Sequence, residues 1–486
     1  DSEEISEEAV SFLNDYVEDI SVVEEVTVLF ENAKQFGSLL VPKQTAGYYQ
    51  QYIEVMESFD LEKADLINEA HIYELQEKLL PILKQAHILA TKYEVVVMNP
   101  PYHNKYNPML KKFMDKNYKE YKSDLYSAFI YRGSQMIKEN GFEGMMSPFT
   151  WMFISSHTKL REYLIDNHSI TSLIQPEYHA CYEIAHVPIC TFIIQNQKLN
   201  PIGNFIKIDE RGADIQSKFV SNAVKDNTLS YLFKVNTNHF KKIPGYPIAF
   251  WIGEKVRRVC EEQNFLADVA LPRAGMITGN SEKYLRFWYE VNLSGIGISI
   301  KSREESKLSR KRWFPYNKGG EFKKWYGNNY TIVNWYDDGY ELRTTKDAKG
   351  KIPAHAFNLE YIFKPCVTWS AVSSKKFSVR VCDSGFLFDA SGSSAFPNSN
   401  NILFVAGFLN SKIVDILLGS MNPTINYQAW NIGNLPILTN VSERTRLTID
   451  AIVNNCVKDT KGDWDSFETS WDFKCDAFLE YRNDAQ

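Results

Sequence analysis

No apolar run in this sequence is long enough to cross a bilayer, and its first residues, Asp-Ser-Glu-Glu, are the opposite of a basic signal peptide. A cytoplasmic protein is therefore expected. Cysteine is scarce and scattered. The seven residues (Cys181, Cys190, Cys260, Cys366, Cys382, Cys456, Cys475) are odd in number, with no Cys-x-x-Cys pair and no histidine at zinc-finger spacing. Reduced thiols are expected, with neither a disulfide framework nor a metal site. Glycine is nearly missing from the first 92 residues, where only Gly37 and Gly47 occur. The glycine-rich turn that cradles a phosphate or nucleoside is thus absent there. Basic residues are equally rare at the start. Residues 1–70 hold 17 acidic side chains against 3 basic, a net charge of −14, so the rest of the chain carries +8 within a total of −6. That remainder is compatible with phosphate contacts. The acidic stretch reads as a solvated helical face, with a partner-binding surface as the alternative.

What is present is enough for two or three domains: 486 residues, 44% hydrophobic and 14% aromatic. Phe12, Tyr16, Ile20, Val23, Val26 and Phe30 recur at helical spacing, and residues 48–90 continue as amphipathic helix broken near Pro81. Residues 1–90 are therefore an acidic helical segment. From residue 91 to 200 the pattern alternates. A triple-valine strand is followed by helices over 109–116 and 124–138, the second closed by Asn140-Gly141 as a C-cap, then by a strand over 142–147 and a helix over 158–166. Strands over 171–176 and 188–195 complete the segment. This predicts an α/β core with a mostly parallel, doubly wound sheet. Residues 201–249 turn polar and irregular and read as a linker. Short strands with glycine turns dominate 250–440, with a helix over 410–418, and 441–486 closes as a helical segment.

The chemistry concentrates at residues 93–102, Tyr-Glu-Val-Val-Val-Met-Asn-Pro-Pro-Tyr. Val95, Val96 and Val97 predict a fully buried central strand, ended abruptly by two prolines that cannot donate to a ladder. An amide and an aromatic ring then sit at a strand's C-terminal end, where open α/β sheets bind ligands. An exocyclic amine conjugated to a ring is a poor nucleophile. A site that accepts hydrogen bonds from both its N–H groups pulls the nitrogen toward a tetrahedral geometry. The Asn99 side-chain oxygen and the Pro100 carbonyl offer two such acceptors, and Tyr102 offers a face on which a flat base stacks. The bland alternative is a strand-ending turn.

Asn99-Pro100-Pro101-Tyr102 resembles the catalytic motif of amino-methyltransferases that use S-adenosylmethionine, especially the adenine-specific DNA enzymes. Lys122-Ser123-Asp124-Leu125-Tyr126-Ser127-Ala128-Phe129-Ile130, Asn140-Gly141-Phe142 and Thr150-Trp151-Met152-Phe153-Ile154-Ser155-Ser156 then resemble, in order, later motifs of the adenine methyltransferases of BREX phage-defence systems. The resemblance runs from about Phe36 onward. It implies a Rossmann-like methyltransferase core with a mixed α+β target-recognition domain, acting on double-stranded DNA in a bacterial cytoplasm beside other BREX proteins. It further implies cofactor contacts from Asn99, Asp124 and Phe129, with Phe129 as a plain core aromatic the alternative, and base stacking by Tyr102 and Tyr182. His179 and His186 read as loop histidines. The family's glycine-rich cofactor turn normally precedes the Asn-Pro-Pro-Tyr motif, and nothing in residues 1–92 resembles it. Asp389-Ala390-Ser391-Gly392 is similar only superficially and falls in the wrong domain. The core is therefore expected to be incomplete in this chain, as a piece of a longer polypeptide.

Three stretches carry the resemblance in 250–440: residues 273–280, residues 311–340, and residues 422–427 with 433–437. Lys307, Arg310, Lys311, Arg312, Lys318, Lys323 and Lys324 interleave there with Trp313, Phe314, Tyr316, Phe322, Trp325 and Tyr326. Cations for phosphates and rings for bases make Arg273, Arg312, Lys318, Lys323 and Asn426 the candidate DNA contacts. A solvated basic loop over a core is the alternative. Three readings stay open beside the methyltransferase: an idle DNA- or partner-binding module, a fused restriction-modification enzyme, and a protein-glutamine methyltransferase, against which the long second half argues.

Overall fold

The computed structural model describes residues 2–61, 64–177, 188–197, 202–209, 212–373, 376–398, 401–422, 425–476 and 479. The chain divides into two compact units, Asp1–Lys241 with Gly245–Trp251, and Lys242–Pro244 with Ile252–Gln486. Among the described residues no single helix is long and apolar enough to cross a membrane.

The first unit begins with helices α1 (Glu7–Asn14), α2 (Ser21–Phe30), α3 (Ala33–Phe36), α4 (Ala46–Ser58), α5 (Leu66–Glu74) and α6 (Leu80–Ala90). Their starts are written locally. The Ser6 and Thr45 hydroxyls and the Asp65 carboxylate each accept from main-chain N–H groups of the first turn. The apolar stripes meet in one core of Val26, Phe30, Tyr49, Met56, Leu79 and Leu83, which leaves the acidic residues outside. The break expected near Pro81 is absent: the chain stays helical from α5 through a π turn at Leu75–Leu79 into α6, and the interruption lies instead between α4 and α5.

Strands β1 (Tyr93–Met98), β2 (Ile137–Pro148), β3 (Ser169–Gln175), β4 (Ile189–Gln195), β5 (Ile202–Lys207) and β6 (Leu232–Asn236) form one sheet in the order β1-β2-β4-β3-β5-β6. Helices α7 (Pro108–Asn117), α8 (Leu125–Met136), α9 (Thr158–Asn167) and α10 (Ala213–Lys225) connect them. Four expectations are corrected here. β1 is an edge strand, not a central one, and Val95 and Val97 are 57% and 76% exposed. An apolar run reports a preference for burial, while the neighbours that would bury it must come from elsewhere. The sheet is mixed, with β1–β2 and β3–β5 parallel but β2–β4, β3–β4 and β5–β6 antiparallel. Residues 201–249 are not a linker, because β5, α10 and β6 extend the sheet and the boundary between the units falls near residue 251. Asn140-Gly141 is not a helix cap either. α8 stops at Met136, and Asn140, at φ 65°, opens a bulge where the pairing with β1 shifts. A Cβ on Gly141 would stand 2.9 Å from the Glu94 carbonyl oxygen, so the bulge requires glycine.

α8 covers one face of β1 and β2 closely. A Cβ on Gly133 would lie 2.2 Å from Oε1 of Glu143, a fully buried β2 carboxyl whose two oxygens have no hydrogen-bond partner. Burial raises its pKa well above the usual carboxylate range, so it is held neutral. The opposite face, with Val97, Gly144, Met146 and Ile193, lines a trough of about 380 Å³ that also reaches Asn99.

The second unit holds short strands β7 (Asn264–Phe265), β8 (Ala270–Arg273), β9 (Leu285–Phe287), β10 (Trp313–Asn317), β11 (Thr331–Asn334), β12 (Cys366–Trp369), β13 (Val379–Cys382), β14 (Leu387–Phe388), β15 (Ser394–Pro397) and β16 (Pro436–Ile437). They pair as sheets β14-β10-β11-β9, β13-β12-β15-β8 and β16-β7 around a core that includes Phe314, Tyr316, Trp335, Phe363 and Phe388. Two helices, Ile402–Leu409 and Lys412–Met421, stand where one was expected, and Glu443–Asp465 closes the unit.

Candidate active site

β1 delivers Asn99 and Pro101 to the surface, buries Pro100 and leaves Tyr102 half-buried. The prolines deprive the chain of two donors just as the strand ends, so the turn has no ladder to follow. It is held instead by α8. The His103 N–H donates to Oδ1 of Asp124 at 3.0 Å, and the Leu125 N–H donates to the His103 carbonyl at 2.9 Å. Burial raises the pKa of Asp124 while the His103, Tyr126 and Leu125 N–H groups oppose it. Asp124 is thus a positioning residue for the turn that presents Asn99.

The Tyr102 hydroxyl donates to Asn99 Oδ1 at 2.7 Å and lies 3.4 Å from the Met146 carbonyl. The oxygen expected to receive a substrate N–H therefore already accepts one internal donor and keeps a second lone pair. Behind Tyr102, the Tyr126 ring stands edge-on at 6.2 Å and 89°. Its hydroxyl lies 3.0 Å from Thr150 Oγ1 and 3.1 Å from His157 Nε2, and His157 Nδ1 lies 3.2 Å from Ser127 Oγ. Ser127 Oγ donates to the Asp124 carbonyl, so it accepts from His157 Nδ1–H, and Nε2 accepts from Tyr126. Burial first and the Arg161 charge second push His157 down to about 4, so it is neutral and is not a proton-accepting group open to substrate. This chain of contacts was not foreseen from the sequence. Its only signal is that Tyr126, Ser127 and Thr150 fall inside the resembling segments and His157 directly follows one.

Phe129, the expected cofactor contact, packs half-buried against Leu39, Leu110, Met114 and Tyr118. Tyr182, with His179 and His186, lies outside the described residues. Among the described residues no glycine-rich turn adjoins Asn99. Asp389 instead caps a short turn through Ser391 and accepts from Tyr316 in the second unit.

The candidate DNA contacts separate. Lys318 lies in a loop whose neighbours Gly319 and Gly320 donate to Ser391 and Ser370. Val372, two residues beyond Ser370, bridges to Asn426, so Lys318 and Asn426 belong to one loop cluster. Arg273 lies over Tyr361, Arg312 over Trp313 and Lys323 over Trp464, while Lys324 donates to the Asn410 carbonyl at 2.9 Å. Of the rings expected to meet bases, Phe314 and Tyr316 are buried core.

A sheet that displays Asn-Pro-Pro-Tyr at a strand end, joined to α8 by an Asp124 tether, defines a Rossmann-like methyltransferase core with helical and α+β parts. Residues 29–182 match the family model of the Eco57I restriction-modification methylase. The chain is 34% identical over 431 residues to the adenine-specific methyltransferase PglX of Lacticaseibacillus casei (strain Zhang), covering 86% of this chain and 34% of that protein. It is 32% identical over 466 residues to the adenine-specific methyltransferase BrxX of Escherichia coli O9:H4 (strain HS), covering 93% of this chain and 36% of that protein. The chain is thus a relative of the PglX and BrxX adenine-specific methyltransferases and spans about a third of their length. The type IIL restriction-modification enzyme MmeI, solved in complex with DNA, shares the fold at 13% identity and a TM-score of 0.52, over 96% of this chain and 72% of MmeI.

Proposed function

We propose that this chain supplies the amine-binding end and the DNA-reading part of an adenine-specific DNA methyltransferase of a BREX phage-defence system. The observation that carries this reading is the exposed Asn99 amide at the C-terminal end of β1, with the half-buried Tyr102 bonded to it. Asn99 Oδ1 and the Pro100 carbonyl accept the two N–H groups of a flipped adenine. Tyr102 gives up its bond to Asn99 and stacks on the base, with Tyr182 as the second ring. Oriented acceptors that strengthen as the nitrogen becomes tetrahedral act in the transition state more than in the ground state. Similarity to PglX and BrxX supports adenine as the base, and the DNA complex of the similarly folded MmeI supports duplex DNA as the substrate.

S-adenosylmethionine, when bound, supplies a methyl group already activated on sulfur. The residues present fit the amine end of such a site. Asp124, through its tether, and Phe129 are its candidate cofactor-side contacts, whereas the glycine-rich turn for the nucleoside is not among the described residues. Lys318 and Asn426 lead the proposed DNA contacts, followed by Arg273, Arg312 and Lys323.

The deciding experiment measures labelled methyl transfer from S-adenosylmethionine to adenine-containing duplex by the protein carrying this chain, with and without Asn99→Ala. Loss of transfer with DNA binding retained is expected, and undiminished transfer sinks the assignment. The internal donor already on Asn99 Oδ1 favours a second reading, a recognition module without turnover. Calorimetry with S-adenosylmethionine separates the two.

A further inference from the structure

A second cavity in the first unit, of about 650 Å³, lies at the opposite end of β1 from Asn99. The start of α4, the end of α6, the end of α7 and the last turn of α8 surround it. Its size is that of ordinary small-ligand pockets. Its lining holds Lys43, Lys92 and Arg132 but no aspartate or glutamate, in a unit whose first 70 residues carry 17 acidic side chains against 3 basic. Arg132 is 5% exposed, and its Nε and Nη2 donate to the Ser38 and Leu89 carbonyls at 3.2 and 2.7 Å. Lys92 Nζ donates to the Gln135 carbonyl. Glu25 meets Lys43 only at the main-chain N–H, at 3.4 Å. Among the described residues none of the three cations has a carboxylate within ion-pair distance. Burial first and the Arg132 charge second lower the pKa of Lys92.

The cap and first turn of the 13-residue α4 add to this charge. Thr45, Ala46 and Gly47 line the cavity, the turn contains no acidic residue, and the space beside Gly47 is open. Tyr48 is the first residue of the helix whose N–H bonds within it, which leaves the Ala46 and Gly47 N–H groups toward the cavity end of the helix. Arg132 is a buried charge without a counter-charge, Lys43 and Lys92 stand exposed at the rim of the cavity, and a multiply charged oxyanion is the partner that answers a guanidinium, two ammonium groups and helix N–H groups together.

We infer that this cavity binds a small phosphate-bearing anion, such as a di- or triphosphate, at the start of the strand whose far end carries Asn99. The cations converge from separate elements into a concavity instead of lying along a surface stripe, which favours a small molecule over a nucleic-acid backbone. The site is separate from the amine-binding turn and does not depend on methyl transfer.

The test is calorimetric titration of the full chain with inorganic pyrophosphate at fixed salt, repeated for Lys43→Gln/Lys92→Gln and for Lys84→Gln, an exposed lysine paired with Glu57 outside the cavity. Arg132 is left intact because it anchors two main-chain carbonyls. Saturable binding by the parent and by Lys84→Gln, weakened about tenfold or more in the double variant at unchanged melting temperature, is the expected result. No saturable binding, or equal binding by the double variant, overturns the site. A short DNA duplex that displaces pyrophosphate, and that itself loses affinity in the double variant, reassigns the cations to DNA and overturns the small-ligand inference.

Discussion

The Asn99 turn and the basic aromatic stretch of residues 307–326 both offer polar groups beside aromatic rings, yet only the first keeps that arrangement when folded. Asn99 and Tyr102 are three residues apart, and the prolines between them, in a turn tethered by Asp124, bring amide and phenol to 2.7 Å. In the second stretch Phe314 and Tyr316 turn into the core, Lys324 is bonded to Asn410, and Lys323 is drawn over Trp464. Side chains two residues apart on a strand share a face, and burial of β10 takes both rings into the core. A short motif with its geometry built in survives folding, whereas a composition of useful residue types does not.

The contrast is sharpest in the largest expected effect. Phe314→Ala should cost about 3–5 kcal/mol of stability, as for other buried aromatics, and should unfold the second unit instead of only weakening DNA binding. A soluble, fully stable variant in thermal melts breaks the comparison. Asn99→Ala should leave stability unchanged and lower methyl transfer by about 10²–10³-fold, the usual loss for one oriented transition-state hydrogen-bond partner, measured by label incorporation into DNA. Replacing the buried Glu143 by Met should stabilise the first unit by about 1–3 kcal/mol, since an unpartnered carboxyl is removed. The sign with pH follows from the raised folded pKa. The native state holds the proton more tightly than the unfolded chain, so wild-type stability from this group is full below about pH 4.3 and falls as pH rises. The advantage of the variant in denaturant melts should therefore grow with pH.

Two smaller effects refine each side. Tyr102→Phe keeps the ring but removes the hydroxyl that occupies Asn99, so KM for DNA should fall by roughly fivefold, the value of about 1 kcal/mol for one hydrogen bond. A raised KM means that the hydroxyl assists capture instead of competing with it. Lys318→Ala should reduce the salt slope of DNA binding by about 1, while Lys324→Ala, whose ammonium is engaged by Asn410, should leave that slope alone. Equal effects of the two would restore the basic stretch as a continuous contact surface.

Much of the first unit was legible because its signals are local. The proline end of β1, the helix at Leu125–Met136 and the strands β2, β3 and β4 all follow from residues within one or two turns of each other. β5 and β6 were missed because Ile202–Lys207 and Leu232–Asn236 lie in polar surroundings and gain their order from pairing with β3 and with each other. The Tyr126–His157 contact joins positions 31 apart, which no spacing rule connects.

By itself the sequence determined that an amide, two prolines and a tyrosine end β1 and that the helical start carries its acid on the outside, since each follows from neighbouring side chains and backbone sterics. Only the tertiary structure decided that β1 is an edge with Val95 and Val97 exposed, that Phe314 and Tyr316 belong to a core, and that Lys43, Lys92 and Arg132 meet in one cavity. Those outcomes depend on which distant segments come together, and burial and charge take their meaning from those neighbours and not from the residues alone.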